Sequence, residues 1–209
     1  MGRSFHSPGG VGIYFSILLR PQCTPGELMH LTCATAVAVC DAVEKATGFL
    51  PGIKWTNDLV SGRKKLGGIL TELGLSAKGT VDYAIIGIGI NCCHKPEDFT
   101  PEIRDIAASL EMVTGKEIHR AQVAAAMMDS LYRMDKVLLT DKAAILGRYR
   151  RNCITIGQEI SLLRVGQEVR YGKAVGMDDE GALLVTFSDG HTEAVNSGEV
   201  SIRGMYGYV

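Results

Sequence analysis

Two neighbouring segments decide how this chain folds: Lys54-Trp55-Thr56-Asn57-Asp58-Leu59 and, after a short polar turn, Lys65-Leu66-Gly67-Gly68-Ile69-Leu70-Thr71-Glu72. The connection Ser61-Gly62-Arg63-Lys64 predicts a hairpin, because glycine tolerates the backbone angles that a tight reversal needs. A hairpin at this point brings the start of the second segment back onto the end of the first.

The predicted hairpin gathers four kinds of chemical group in one small volume. Lys65 starts the second strand and faces back towards Asn57 and Asp58, while Gly67 and Gly68 lack Cβ atoms and let a flat ligand or another backbone come close. A cation, an amide, a carboxylate and bare backbone together suit an anionic substrate that is held and activated. Each part also has a purely structural interpretation, as an edge lysine, an Asn-Asp turn or a Gly-Gly bulge.

A second glycine-containing strand is predicted from Val81 to Asn91, where Gly87-Ile88-Gly89-Ile90-Asn91 ends an apolar run. Cys92 stands where a dinucleotide-binding fingerprint needs its third glycine, so that site is not predicted. The glycines fit either close helix packing or bare backbone beside a flat ring, with Asn91 as a bidentate amide. Cys92-Cys93-His94 predicts a loop, because adjacent residues rarely converge on one metal ion.

Taken together, the two segments resemble the catalytic core of bacterial biotin–protein ligases, which show Lys-Trp-Pro-Asn-Asp and then Lys-(Leu/Val)-(Ala/Gly)-Gly-Ile. Thr56 replaces the usual proline. The resemblance extends to Arg3-Ser4-Phe5-His6-Ser7-Pro8, to the strand ending at Asn91 and to the short strands near the C-terminus. It therefore spans nearly the whole chain.

The resemblance implies an ATP-dependent enzyme that converts biotin to biotinyl-5′-adenylate and transfers it to a lysine of the biotin carboxyl carrier protein of acetyl-CoA carboxylase. Lys65 then stabilises the developing negative charge, and Asp58 orients or deprotonates the incoming lysine or helps place the Mg²⁺ that accompanies ATP. Arg3 would fold over the adenylate and Phe5 would pack near adenine. The implied biotin- and ATP-binding set, with no metal site of the protein's own, is Arg3, Phe5, Asn57, Lys65, Gly67, Gly68, Gly87, Gly89 and Asn91.

Composition limits the partners and the location. With 46% hydrophobic and 22% charged residues the chain is ordinary for a globular protein, and 22 basic against 23 acidic side chains give no field that would attract nucleic acid. The six cysteines form no Cys-x-x-Cys pair, which argues against a zinc ribbon. Because residues 1–10 contain no apolar signal and no apolar run reaches ~20 residues, we expect a cytoplasmic chain with reduced thiols and no membrane partner.

The hydrophobic pattern predicts an α+β fold, with a mixed, mostly antiparallel sheet and flanking helices. The resemblance implies the class II synthetase type. A capping box, Thr24-Pro25-Gly26-Glu27, should start a helix that ends near Thr47. Further helices are predicted over 102–112, 119–139 and 141–151. Short alternating strands from residue 158 onward predict a small SH3-like barrel. We therefore divide the chain into a catalytic domain, 1–152, and a C-terminal β domain, 153–209.

The strand predicted from Gly12 to Arg20 is apolar on both faces, which indicates a central position in the sheet. In the resembled family a basic loop and a biotin-holding strand precede it, and Gly2-Arg3 matches only the end of that loop. The resemblance therefore predicts an N-terminally incomplete ligase, longer in nature or inactive in this form, whose first strand has an uncovered flank.

Two other functions stay open from the sequence. A lipoate–protein ligase shares the fold and chemistry, although Trp-x-Asn-Asp and the SH3-like tail favour biotin. A non-catalytic fragment that binds a partner through the barrel is the other alternative. The resemblance also implies a homodimer formed through sheet edges, whereas the sequence gives no support for the DNA-binding winged helix that some family members carry.

Overall fold

The structure, a computed structural model, describes residues 8–164, 167–196 and 201–204, the last range as backbone only. Arg3 and Phe5 lie outside the described residues. The strands and helices, in chain order, are β1 (Gly12–Leu19), α1 (Leu31–Thr47), β2 (Gly52–Lys54), β3 (Asp58–Ser61), β4 (Lys64–Leu75), β5 (Val81–Asn91), α2 (Leu110–Thr114), α3 (Arg120–Val137), α4 (Lys142–Asn152), β6 (Glu159–Leu163), β7 (Arg170–Met177), β8 (Leu183–Phe187), β9 (Thr192–Val195) and β10 (Ser201–Gly204).

Strands β1 to β5 form the first sheet, which is antiparallel throughout and has the order β1-β5-β4-β3-β2. Successive side chains of a strand point to opposite faces, so each face has its own character. On the helix face, Ile86, Ile88 and Ile90 are buried against the helices. The other side, which we call the open face, carries Gly87 and Gly89 of the same strand. From Ile86 to Ile90 the strand is therefore apolar at every second position and bare between them.

Helix α1 is the central core helix. The segment Gly26–Thr47 is long and apolar enough to cross a membrane by length and composition, but 72% of its most apolar window is buried inside the protein. Thr32 on α1 hydrogen-bonds Thr71 on β4 across 2.7 Å, which fixes the helix on the sheet. The helix ends at Gly48, whose φ of +77° suits a left-handed cap that glycine adopts without a Cβ penalty.

The predicted central position of the first strand is wrong within the described residues. β1 pairs only with β5 there and lies at the edge of the sheet. Leu18, on its open face, is 55% exposed. The apolar run thus marks a strand whose second face is partly open, where Tyr14 pairs with Gly89 and Ser16 with Gly87, two positions of β5 that have no side chain.

Two predicted helix bounds also differ from the structure. The capping box is present, with the Thr24 backbone N–H donating to Glu27 across 2.8 Å, but it opens a 3-10 turn over Gly26–Leu28 and α1 begins only at Leu31. The helix predicted over 102–112 is reduced to α2, which Ser109 caps by accepting from Met112. The preceding residues are not helical because the backbone around Ala107 pairs with Lys65 instead.

Strands β6 to β10 form the second sheet, in the order β10-β6-β7-β8-β9, and confirm the predicted C-terminal module of short antiparallel strands. Within the described residues this sheet is open rather than closed into a barrel. Glu193 on β9 pairs with Arg164 and with Arg170 at 2.7 Å. These two guanidinium groups lower the pKa of Glu193 through hydrogen bonds and charge, so the three side chains brace the module across its strands.

Candidate functional site

An ion pair between Lys65 and Asp58 forms the centre of the candidate site, as the predicted hairpin required. Asp58 starts β3, Lys65 lies near the start of β4, and the two strands are joined through Gly62, whose φ is +54°. The side chain of Lys65 is 39% exposed and that of Asp58 is 15% exposed. The ammonium group is therefore both held by a carboxylate and accessible to an anionic ligand.

The backbone of Lys65 is fixed on its outer side by the loop that follows β5. Its N–H donates to the Ile106 carbonyl across 2.7 Å, and its carbonyl accepts from Ala108 across 2.9 Å. Asn91 joins the same cluster, since its Nδ2 donates to Ala108 O at 3.1 Å and lies 3.5 Å from Lys65 O. Both contacts of the Asn91 amide nitrogen are thus to backbone carbonyls.

Asn57 holds the turn between β2 and β3 against β4. Its Nδ2 donates to the Ile69 carbonyl across 2.7 Å, and its own carbonyl accepts from Ile69 N–H across 2.9 Å. Asn57 is thus a clamp that sets the position of the neighbouring Asp58. The sequence predicts that Asn57 and Asn91 bind the ligand. In the structure the side-chain amide of each also donates to backbone carbonyls.

The glycines named from the sequence fall into two groups. Gly68, Gly87 and Gly89 lie on the open face, where Gly68 pairs directly with Gly89. A Cβ at Gly68 would stand 3.2 Å from Lys65 Nζ and 3.3 Å from Asp58 Oδ1, so the bare backbone leaves room for the ion pair. Together the three positions form what we call the glycine floor.

Gly67 does not belong to the glycine floor. Its register with Ile90 and Leu59, both buried, places it on the helix face. A Cβ there would collide with the Gly89 carbonyl and would stand 2.7 Å from Ile90 Cδ1. Its missing side chain therefore lets two strands approach, and the structure gives it no contact with the space above the floor.

Three residues that sequence reasoning left without a role hold this site from behind. Trp55, the only tryptophan, is buried, and its indole N–H donates to the Gly181 carbonyl across 3.0 Å. Tyr149 donates to Thr56 O at 3.0 Å, and Thr155 accepts from Trp55 N–H at 2.9 Å. The sequence predicts a helix over 141–151, but no local signal indicates what the hydroxyl of Tyr149 binds.

The glycine floor lies beside the ion pair, with Gly68 next to both of its side chains. A separate cleft of about 230 Å³ lies where α1 ends and α3 begins, lined by Thr47, Lys116, His119 and neighbours, and it shares no residue with the site. No group of three or more His, Cys, Asp or Glu side chains within the described ranges has the arrangement of a metal centre. The site in the described residues therefore consists of the Lys65 ammonium group, held by Asp58, beside the bare backbone of the glycine floor.

Comparison with known proteins gives matches along most of the chain. Residues 1–91 match the model of the biotin/lipoate A/B protein ligase family, and residues 155–203 match the biotin protein ligase C terminal domain. The bifunctional ligase/repressor BirA of Bacillus subtilis is 36% identical over 198 residues, covering 91% of this chain and 58% of that protein. The biotin--[acetyl-CoA-carboxylase] ligase of Mycobacterium tuberculosis is 26% identical, covering 95% and 72%.

Solved structures agree with these matches. The biotin protein ligase from Aquifex aeolicus, in complex with biotin and ATP, is 31% identical to this chain and superposes with a TM-score of 0.77. The match covers 92% of this chain and 78% of that one. Against the first curated relatives the chain is shorter, since it spans between 58% and 62% of their length.

Proposed function

Because the chain belongs to the biotin/lipoate A/B protein ligase family, we propose that it is a biotin–protein ligase, which activates biotin with MgATP and transfers it to a lysine of a biotin carboxyl carrier protein. The observation that carries the proposal is the Lys65 ammonium group, held by Asp58 at the edge of the glycine floor. Both family models match, and the A. aeolicus protein of the same fold is described in complex with biotin and ATP. A cytoplasmic location stays a prediction.

In the first step of the proposed reaction a biotin carboxylate oxygen attacks the α-phosphorus of MgATP, and pyrophosphate leaves with the bonding electrons. Negative charge gathers on the α-phosphate oxygens in the transition state. Lys65 stabilises that charge from a fixed position, so little reorganisation is needed when the charge appears. The floor at Gly68, Gly87 and Gly89 allows a flat ring to lie directly on the backbone.

In the second step the ε-amine of the carrier lysine attacks the carbonyl carbon of biotinyl-5′-adenylate. An amide bond forms, AMP leaves, and the amine loses one proton. Lys65 now faces the oxyanion that forms on the carbonyl, and Asp58 is the carboxylate placed to orient the amine or accept its proton. Its ion pair with Lys65 keeps Asp58 near the reacting carbon.

The proposal is tested by a two-part assay, first for biotin- and MgATP-dependent pyrophosphate release and then for transfer to a carrier domain. The assay uses this chain, any longer form that the upstream reading frame encodes, and the variants Lys65→Ala and Lys64→Ala. Lys64 is the matched control, because it is an exposed lysine one residue away. We expect Lys65→Ala to abolish pyrophosphate release and Lys64→Ala to leave it within about twofold.

A parallel reaction with lipoate in place of biotin decides between the two acyl substrates of the family. Adenylation of lipoate but not biotin would replace the proposed substrate and keep the chemistry. If no form of the protein releases pyrophosphate with either biotin or lipoate, the ligase proposal is contradicted and a non-catalytic role is favoured. Equal loss in the Lys64 and Lys65 variants would contradict the assignment of Lys65.

A further inference from the structure

We infer that Tyr149 and Thr155 are positioning residues of the proposed ligase, which hold the turn at Trp55 and Thr56 so that Asp58 stays against Lys65. The inference rests on the proposed function for its catalytic consequence. Its structural basis is one short stretch, residues 149–155, that leaves α4 and runs beside the β2–β3 turn on its way to the second sheet.

The end of β2, at Ile53, and the β2–β3 turn, residues 55–57, carry buried backbone groups that the sheet does not pair. A buried N–H or C=O without a partner is costly, so each one needs a substitute. The 149–155 stretch supplies a hydrogen-bond partner to three of these groups. Ile154 N–H donates to Ile53 O at 2.9 Å, Thr155 Oγ1 accepts from Trp55 N–H at 2.9 Å, and Tyr149 Oη donates to Thr56 O at 3.0 Å.

The two side chains are themselves fixed, which makes them suitable anchors. Tyr149 is fully buried, and burial raises the pKa of its hydroxyl well above the ordinary value, so the group stays protonated and keeps donating. Thr155 is 4% exposed. Trp55 adds a third anchor through its indole N–H to Gly181, which lies in the turn between β7 and β8. The turn is thus held from α4 and from the second sheet together.

The consequence reaches the ion pair through the chain itself. Asp58 follows the anchored turn after one residue, Asn57, whose side chain is tied to Ile69. If the turn moves, Asp58 moves with it, and its contact with Lys65 across the β3–β4 pair is lost. Small displacements of catalytic groups reduce rates strongly even when the mutated residue is remote from the reacting atoms.

The test compares Tyr149→Phe and Thr155→Val, which each remove one hydrogen bond at nearly constant volume, with Thr155→Ser, which keeps the hydroxyl. Thr35→Val is the control, because its fully buried hydroxyl bonds Leu31 O at 2.9 Å within α1, with no contact to the turn. Two readouts are taken: kcat and KM for pyrophosphate release, and quenching of the single tryptophan, Trp55, by acrylamide.

We expect Tyr149→Phe and Thr155→Val to lower kcat about tenfold with KM for MgATP within about twofold. We expect both to increase quenching of Trp55, whereas Thr155→Ser and Thr35→Val change neither. A fall in thermal stability like that of Thr35→Val, with kcat and quenching unchanged, would overturn the inference. If neither this chain nor any longer form that the upstream reading frame encodes activates biotin, the proposed function fails. In that case the quenching alone decides whether these residues hold the turn.

Discussion

Three glycines, two on β4 and one on β5, differ in what an added side chain would meet. At Gly67 a Cβ would collide with the backbone of β5, at Gly68 it would press on Lys65 and Asp58, and at Gly87 the nearest atoms stand 3.9 Å away, in ordinary contact. The sequence shows only that all are glycine. Whether a glycine serves strand packing, the ion pair or a ligand depends on its face, which only the register reveals.

These differences predict opposite outcomes for two alanine substitutions. Gly87→Ala adds a methyl group that the protein accommodates, so we expect unchanged stability but biotin binding weaker by about tenfold or more, because the methyl occupies the space above the floor. Gly67→Ala overpacks two strands and should lower the free energy of unfolding by about 1 to 3 kcal/mol. Chemical denaturation and biotin titration calorimetry measure the two effects. Unchanged biotin affinity in Gly87→Ala would show that the ring lies elsewhere.

The role that we propose for Asp58 belongs to one of the two half-reactions, and Asp58→Asn separates the two possibilities. The amide keeps the shape and removes the charge and the basic oxygen. If Asp58 handles the incoming amine, transfer from preformed biotinyl-5′-adenylate should slow about a hundredfold while pyrophosphate release is much less affected. Single-turnover assays of each step measure this. The reverse pattern would place Asp58 with MgATP instead.

At the scale of elements, the sequence predicted strands better than helix starts. The sequence predicts strands at the positions of β4 and β5, and the structure confirms both. The capping box at Thr24 satisfied its own local hydrogen bonds but opened a 3-10 turn. The stretch before α2 has helical composition, yet its backbone at Ile106 and Ala108 bonds Lys65, a partner more than forty residues away. A tertiary contact of that kind leaves no trace in local periodicity.

The start of α1 contains a buried histidine that makes stability depend on pH. His30 is 1% exposed and hydrogen-bonds the Leu138 carbonyl at the end of α3 across 2.7 Å. Burial lowers the pKa of His30 below its ordinary value of 6.5, and the bond to Leu138 only partly offsets this. The unfolded chain therefore binds a proton more readily than the folded one. Stability should be full above about pH 6.5 and fall as the pH drops through the lowered pKa.

Urea unfolding between pH 5 and 8 measures this effect in the parent and in His30→Gln. The glutamine keeps a donor for Leu138 O but does not titrate. We expect the variant to be less stable than the parent near pH 8 and to lose less stability below pH 6.5. Parallel curves for the two proteins over the whole range would show that the pKa of His30 is the same in the folded and unfolded states and that other groups set the dependence.

At the scale of the molecule, the two sheets share one hydrophobic core. Residues of the second sheet such as Leu183 and Val185 belong to the same buried cluster as α1 and the first sheet. Lys142 on α4 pairs with Glu180 at 2.6 Å, and Arg150 donates to Asp178 O at 2.7 Å, so α4 is tied to the β7–β8 turn. The change of pattern near residue 153 predicts a boundary between two domains. It does not reveal that the stretch at this boundary holds the β2–β3 turn, because those contacts join segments a hundred residues apart.

A shared core predicts that the two sheets unfold together. Val185→Ala removes buried volume from the second sheet, where Val185 is fully buried, and should cost about 2 kcal/mol. If unfolding is cooperative, amide exchange in β5 of the first sheet should accelerate by the matching factor, since both sheets open in one step. Val175→Ala is the matched control, because the same residue type on the outer surface of the same sheet is 48% exposed and contributes little to the core. Hydrogen exchange followed by mass spectrometry reads β5 directly.

Faster exchange confined to β6 to β9 would mean that the second sheet opens by itself. The first sheet would then keep its fold without the second. The bond from Trp55 to Gly181, which anchors the β2–β3 turn, would then matter for the proposed catalysis rather than for folding.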